Sequence, residues 1–200
     1  MSISSPSTSP NETIAVEGDL RIRRMRDEDA DHERMVRWRN ARHVREWWDP
    51  DEPPLTLEES RRHYGPRTGG GPEVACIVEL KGRPIGYVQF YPWEEEPEAI
   101  EAIGLPTIPE AWGLDIFIGE PDLLDRGIGT RTVGLLCGSL FRDRGASAIM
   151  IVSAADNARA LRAYEKAGFL RKARVLDTDT RGGERVESWL LVLERPSDAR

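Results

Sequence analysis

The sequence predicts an α/β (α+β) fold in one domain, a mixed, twisted sheet flanked by helices. Three observations lead there. Runs with strand and helix periodicity follow one another as β-α-α-β-β-β-α-β-α-β-β, the pattern of helices packed on a sheet. Two extended runs, residues 74–80 and 84–91, are separated only by Lys81-Gly82-Arg83 and read as an antiparallel hairpin. A glycine turn, Leu123-Leu-Asp-Arg-Gly-Ile-Gly-Thr-Arg131, stands between an apolar strand and an amphipathic helix.

Residues 1–17 are rich in Ser, Pro and Thr, with neither a basic start nor an apolar core, and are expected to form a disordered tail before a domain at 18–195. Leu20 to Met25 reads as the first strand, and Asp27 as the cap of a helix running to about Asn40. His43 to Asp49 breaks at Pro50, after which Thr56-Leu-Glu-Glu59 is a capping-box pattern opening a helix through Tyr64. After the hairpin, residues 92–111 form a long insertion, and loops of that length are more often functional than neutral.

Trp112 to Ile118 resumes a strand. Val133, Leu136, Cys137, Leu140 and Phe141 repeat at helical spacing and give the next helix one buried face. Ala148 to Val152 is a buried strand, and Asn157 caps a helix that stops at Gly168. Two closing strands, 170–176 and 185–193, flank an acidic turn from Asp177 to Gly183.

The 28 Lys and Arg residues against 35 Asp and Glu give a net charge of −7, which disfavours nonspecific nucleic-acid binding and is compatible with a small cationic substrate. Part of the excess sits in one stretch, at Glu94, Glu95, Glu96, Glu98 and Glu101, a pattern that also fits a solvated face. Cys76 and Cys137 lack metal-ligand spacing and read as small core hydrophobes. No apolar run approaches membrane-spanning length, so a cytoplasmic protein is expected, without membrane or metal partners. The three histidines, His32, His43 and His63, have charged neighbours and are expected to be solvated. A monomer or a homodimer fits equally well.

The glycine turn carries the first chemical clue. Gly127 and Gly129 let the backbone approach a pyrophosphate closely, free N–H groups at a helix start point at it, and Arg126 and Arg131 can add charge-assisted bonds. No Gly-Lys-Ser/Thr follows, which excludes a P-loop, and Thr132 stands where a dinucleotide fingerprint requires its third glycine. Together with the Asn157-Ala-Arg-Ala-Leu-Arg-Ala-Tyr-Glu-Lys-Ala-Gly-Phe169 helix, this turn resembles the acetyl-coenzyme A site of the GNAT superfamily of N-acetyltransferases. Glu46-Trp-Trp48, Thr56-Leu57 with Tyr64, Pro84-Ile-Gly-Tyr-Val-Gln-Phe-Tyr91, Gly113-Leu-Asp115 and Leu124 further resemble the aminoglycoside 6′-N-acetyltransferases, over residues 20–170.

That resemblance implies an acetyl-coenzyme A-dependent enzyme acting on the 6′-amine of aminoglycosides. It implies that the strand at 112–118 splays from the one at 148–153, so that the pantetheine arm lies along Ile116, Phe117 and Ile118. Arg126, Gly127, Ile128, Gly129, Thr130 and Asn157 would hold the rest of the cofactor. Trp48, Tyr64, Gln89 and Tyr91 would line the aminosugar pocket, and Asp115 would bind or deprotonate the amine. A neutral amine is the nucleophile toward a thioester, so a carboxylate that holds the ammonium and then takes its proton suits the reaction. Tyr164 would protonate the departing thiolate.

Simpler roles stay open. Asp115 could tie down a neighbouring arginine, Tyr164 could be a core tyrosine, and one of Trp47 and Trp48 could plug the helices while the other meets the sugar. One departure bears on the substrate. Val152-Ser153 stands where the aminoglycoside branch carries Asp-Pro, leaving the acidic stretch 94–101, or Asp177 and Asp179, to compensate. The alternative is another small amine, such as a siderophore-type hydroxylysine, or a protein N-terminus.

Overall fold

The computed structural model describes residues 13–95, 100–101, 104 and 108–196. Eight strands form one sheet, ordered β1-β2-β3-β4-β5-β6-β8-β7. These are β1 (Thr13–Glu17), β2 (Leu20–Arg24), β3 (Val74–Leu80), β4 (Arg83–Pro92), β5 (Ala111–Ile118), β6 (Ala148–Ala154), β7 (Leu170–Arg181) and β8 (Glu184–Glu194). The helices are α1 (Asp29–Arg39), α2 (Arg42–Arg45), α3 (Leu57–Thr68), α4 (Ile128–Asp143) and α5 (Ala158–Lys166). Only β5 and β6 pair in parallel, so the sheet is mixed as the sequence predicts.

Strand parity explains where the helices go. On β3 every residue from Val74 to Glu79 is buried, because both faces of the sheet are covered. Val74, Cys76 and Val78 face α4 and α5, joining Leu114, Leu136, Leu140 and Phe169 in one core. Ala75 and Ile77 face the other way, with Met35, Trp38, Tyr64, Tyr87 and Phe117 under α1, α2 and α3. A third cluster, built on Trp93, Met150, Leu190 and Val192, covers the same face farther along. Cys76 and Cys137 are both buried, and burial pushes the Cys137 thiol up to about 12.

Several expectations are corrected. Residues 13–17, taken from sequence as the end of a tail, are strand β1: Gly18-Asp19 turns the chain back so that Ala15 and Val16 pair with Ile22 and Arg21. Residues 1–12 lie outside the described residues. Asp27 does not cap α1; the N-cap is Glu28, without a side-chain bond, and Asp27 is bound to His32. His32 is fully buried, its Nδ1 at 3.0 Å from Ser60 Oγ and its Nε2 at 2.8 Å from Asp27 Oδ1. The contact ties α1 to α3. His63 is exposed as expected, though partial desolvation together with the Arg67 and Arg39 cations lowers its pKa to about 4.

The Thr56 capping box forms with both reciprocal bonds, but α3 continues past Tyr64 to Thr68. Likewise β7 does not end at Leu176. It runs to Arg181 after an irregularity between Leu176 and Thr180, which turns the expected acidic loop into part of the sheet. One ionic cluster is fully inside. Arg23 donates two bonds to Asp31, at 2.7 and 2.9 Å, and one to Glu79 at 2.7 Å, joining β2, β3 and α1.

Candidate active site

The site exists because two neighbouring strands part. β5 pairs with β6 only at Ala111–Gly113 against Ala148–Met150, while its other edge stays paired with β4 as far as Ile118. From Leu114 onward the β6-facing edge of β5 has no strand partner among the described residues. A cleft of about 560 Å³ opens there. It connects the two faces of the sheet, since Asp115 and Phe117 point toward α1–α3 while Ile116 and Ile118 point toward α4 and α5.

At the first face Asp115 sits half-buried opposite Gln89 on β4. Gln89 Oε1 accepts from Arg67 Nη1 at 2.9 Å and from the Tyr87 hydroxyl at 2.8 Å. Because arginine only donates, the amide orientation is set, and Nε2 donates to Asp115 Oδ2 at 2.9 Å. Tyr91 adds a second hydrogen bond to this carboxylate. Its ring lies where a Cβ on Gly113 would be, 2.4 Å from the nearest ring atom, so that position admits only glycine. Desolvation outweighs these bonds and raises the Asp115 pKa to about 6.

Trp48, Gln89 and Tyr91 line the cleft as the sequence predicts, and Trp47 lines it too. Tyr64 does not. Its side chain is fully buried, its ring 5.3 Å from that of Tyr87, and its hydroxyl accepts from Arg39 at 2.5 Å. Its place on α3 aims it at the sheet, one layer below the cavity. Trp48 has both roles considered for the pair, packing edge-on against Phe117 at 5.0 Å while one side meets the cleft.

Across the gap, Tyr164 on α5 packs its ring beside Phe169. Its hydroxyl hydrogen-bonds no other described residue. Burial and the nearby Asp115 charge raise its pKa, so the phenol stays protonated. At the start of α4, Gly127 takes the left-handed conformation with φ 74°, and the first helix amide to find a backbone carbonyl is Arg131, on Gly127 at 3.0 Å. The amides of Ile128, Gly129 and Thr130 precede that bond, and a Cβ at Gly127 or Gly129 would meet nothing within 4 Å. This open, amide-lined helix start fits a pyrophosphate. Asn157 caps α5 through Ala160 N at 3.2 Å and also lines the cleft. Arg126 is exposed and outside it, and Arg131 is paired with Asp19 at 3.0 Å.

Sequence reading missed Arg67, Trp93 and Arg162, all on the cleft wall. Arg67 lies one turn beyond Tyr64 on α3, and the capping box was the available signal that this turn exists. Asp177 lines the cleft and Glu94 and Glu101 do not; Glu96, Glu98 and the side chains of Glu95 and Asp179 lie outside the described residues. Among the described residues no group of three or more His, Cys, Asp or Glu could hold a metal, and no helix is long and apolar enough to cross a membrane.

A strand splay, a glycine-capped helix start and a capped second helix together describe an acyl-coenzyme A cleft, and the acetyltransferase (GNAT) domain matches residues 27–177. This chain belongs to the GNAT acetyltransferases. An aminoglycoside N(6′)-acetyltransferase type 1 from Klebsiella pneumoniae is 34% identical to this acetyltransferase over 154 residues, 72% of each chain. The solved aminoglycoside acetyltransferase AAC(6′)-Ib, in complex with ribostamycin and coenzyme A, superposes with a TM-score of 0.73 at 30% identity, covering 89% of this chain and 94% of that one. The same enzyme with paromomycin and acetyl-coenzyme A gives 0.72 at 29% identity over 89% and 94%. The acetyl donor of this GNAT enzyme is acetyl-coenzyme A.

Proposed function

We propose that the protein acetylates the 6′-amine of aminoglycoside antibiotics. The observation that carries this reading is Asp115: a carboxylate with raised pKa, held by Gln89 and Tyr91, at the opening between an aromatic acceptor end and the cofactor end. Relatives and solved neighbours named for this activity support it.

The amides of Ile128, Gly129 and Thr130 would hold the pyrophosphate, backbone groups on the open edge of β5 near Ile116 and Ile118 would hydrogen-bond the pantetheine arm beside Phe117, and Asn157 would help to hold the cofactor. Acetyl-coenzyme A supplies the acetyl thioester. With a pKa near 6, the Asp115 carboxylate is mostly ionised at neutral pH; it binds the substrate ammonium and accepts its proton. The freed amine forms the new C–N bond as the C–S bond breaks, and the proton it sheds in becoming an amide replaces the one that Tyr164 gives up. The Tyr164 hydroxyl, kept protonated by its surroundings, gives its proton to the leaving sulfur. Trp48 and Tyr91 present flat faces to the sugar. Asp177, brought to the cleft by the lengthened β7, supplies a carboxylate to a polycation where Val152 supplies none.

The test is a panel of kanamycin, tobramycin, paromomycin, a diamine, hydroxylysine and a peptide amine, followed by release of free thiol. Kanamycin and tobramycin are turned over and acetylated at the 6′-nitrogen by mass spectrometry. Paromomycin, with a 6′-hydroxyl, competes without reacting, because a hydroxyl is a poor nucleophile toward a thioester. Rapid acetylation of hydroxylysine with none of the aminoglycosides would overturn the assignment.

A further inference from the structure

Two segments far apart in the chain meet over the acceptor end of the cleft. Asp51, in the loop after α2, accepts hydrogen bonds from the Thr180 hydroxyl at 2.9 Å and from the amides of Gly182 at 2.7 Å and Gly183 at 3.0 Å. These three bonds, across 129 to 132 residues of sequence, hold the tip of the β7–β8 hairpin. On the same tip Arg181 places its guanidinium carbon 4.9 Å from the Trp47 ring centroid and donates to Asp156 at 2.7 Å. Thr180, Arg181 and Trp47 all line the cleft, so what holds the tip also shapes the cavity.

Besides Asp51, the hairpin is fastened by the Arg181–Asp156 pair and by two bonds from Arg185 to the Leu176 and Asp177 carbonyls. β7 is an edge strand, and its register with β8 breaks between Leu176 and Thr180, so the ladder just before the tip is interrupted. A carboxylate receiving consecutive amides is a strong charge-assisted contact. Those amides and the Thr180 hydroxyl hold the Asp51 carboxyl below its ordinary pKa, which keeps it ionised at neutral pH.

We propose that Asp51 is a positioning residue that fixes the Arg181–Trp47 wall over the acceptor end and thereby favours large, multi-ring amines that fill the cleft up to that wall. The role in selectivity rests on the aminoglycoside reading; the contact itself does not. A single-ring amine beside Asp115 leaves the wall untouched, so unfastening the wall weakens the binding of the large acceptor alone.

The experiment compares the wild type with Asp51→Ala and Asp51→Asn. Exchange of the Gly182 and Gly183 amides is followed by NMR without substrate. KM and kcat are measured for kanamycin and for 6-amino-6-deoxyglucose, and coenzyme A affinity by calorimetry. Asp51→Ala is expected to exchange both amides about tenfold faster and to raise the kanamycin KM by about tenfold, the factor that corresponds to about 1.4 kcal/mol. Its kcat, its KM for the single-ring amine and its coenzyme A affinity stay within about twofold. Asp51→Asn, which keeps an acceptor oxygen, recovers part of the loss.

Equal glycine exchange in wild type and Asp51→Ala would overturn the contact. Faster exchange with the two KM values unchanged, or moving together, would overturn the role in selectivity. A wild type with protected amides that acetylates no aminoglycoside would overturn the substrate reading and the selectivity with it, while the contact stands.

Discussion

Asp115→Asn should make the protein more stable and nearly inactive at once. The carboxyl lies where its charged form is poorly solvated, and its pKa is about 6 against the ordinary 3.8. At about 1.36 kcal/mol per pH unit this is a ceiling of about 3 kcal/mol of destabilisation at neutral pH. The side chain borders an open cleft, so solvent screening brings the expected gain to about 1–2 kcal/mol. Asparagine preserves the contacts, since its oxygen can accept from Gln89 Nε2 and its NH2 can donate to the Tyr91 oxygen.

The sign is worked from linkage. A folded-state pKa above the unfolded value means that the folded protein holds this proton more tightly, so the wild type loses stability relative to the variant as pH rises from 3.8 through about 6. The gap is therefore small below about pH 3.8 and full above about pH 7. For a domain of this size the gain corresponds to a melting temperature higher by about 2–8 °C at pH 7.5, read by calorimetry at several pH values. Turnover falls by about 10²- to 10⁴-fold, and the wild-type rise of kcat/KM through pH ~6 disappears. A stability difference independent of pH, or a destabilised variant, would refute the reasoning, because the charge of Asp115 would then not be what the fold opposes.

Tyr164→Phe keeps the ring packed against Phe169 and is expected to lower kcat by about 10²- to 10⁴-fold without changing the melting temperature appreciably; a wild-type rate would return Tyr164 to a core role. A Cβ added at Gly129 meets nothing within 4 Å, so in Gly129→Val the fold should persist while calorimetry shows weakened acetyl-coenzyme A binding, and unchanged affinity would misplace the pyrophosphate. Asp31→Asn removes one of the two carboxylates that hold the buried Arg23, leaving Glu79, and should cost about 1.5–3 kcal/mol in chemical denaturation. The lowered pKa of Asp31 places this contribution above the ordinary carboxylate range and removes it as pH falls through the folded-state value, so wild type and variant converge in acid.

What was legible in the sequence is what local rules govern. The Thr56 capping box, the Asn157 cap and the Lys81-Gly82 hairpin are set by residues within a few positions of one another, and each forms where expected. The spaced apolar face of α4 and the left-handed glycine turn before it follow the same logic. β1 was missed because the short run Thr13-Ile-Ala-Val-Glu17, with only three strand-favouring residues, follows a Ser- and Pro-rich stretch, and pairing across Gly18-Asp19 outweighs that context.

Tertiary structure alone decided the rest. Whether Tyr64 reaches the substrate depends on which way α3 rolls against β3 and β4, and packing against Tyr87 turned it inward. Whether His32 is solvated depends on a partner, Ser60, 28 residues away on another helix. Asp115 owes its proton affinity to desolvation at the splay, with Gln89, 26 residues earlier, acting in opposition through its hydrogen bond. The sequence by itself determined the fold and the glycine turn that opens α4, because those depend on periodicity and nearby backbone geometry. The acceptor end was decided by the tertiary structure, since burial and charge at Asp115, Arg67, Asp177 and Asp51 arise only when distant strands and loops are brought to one opening.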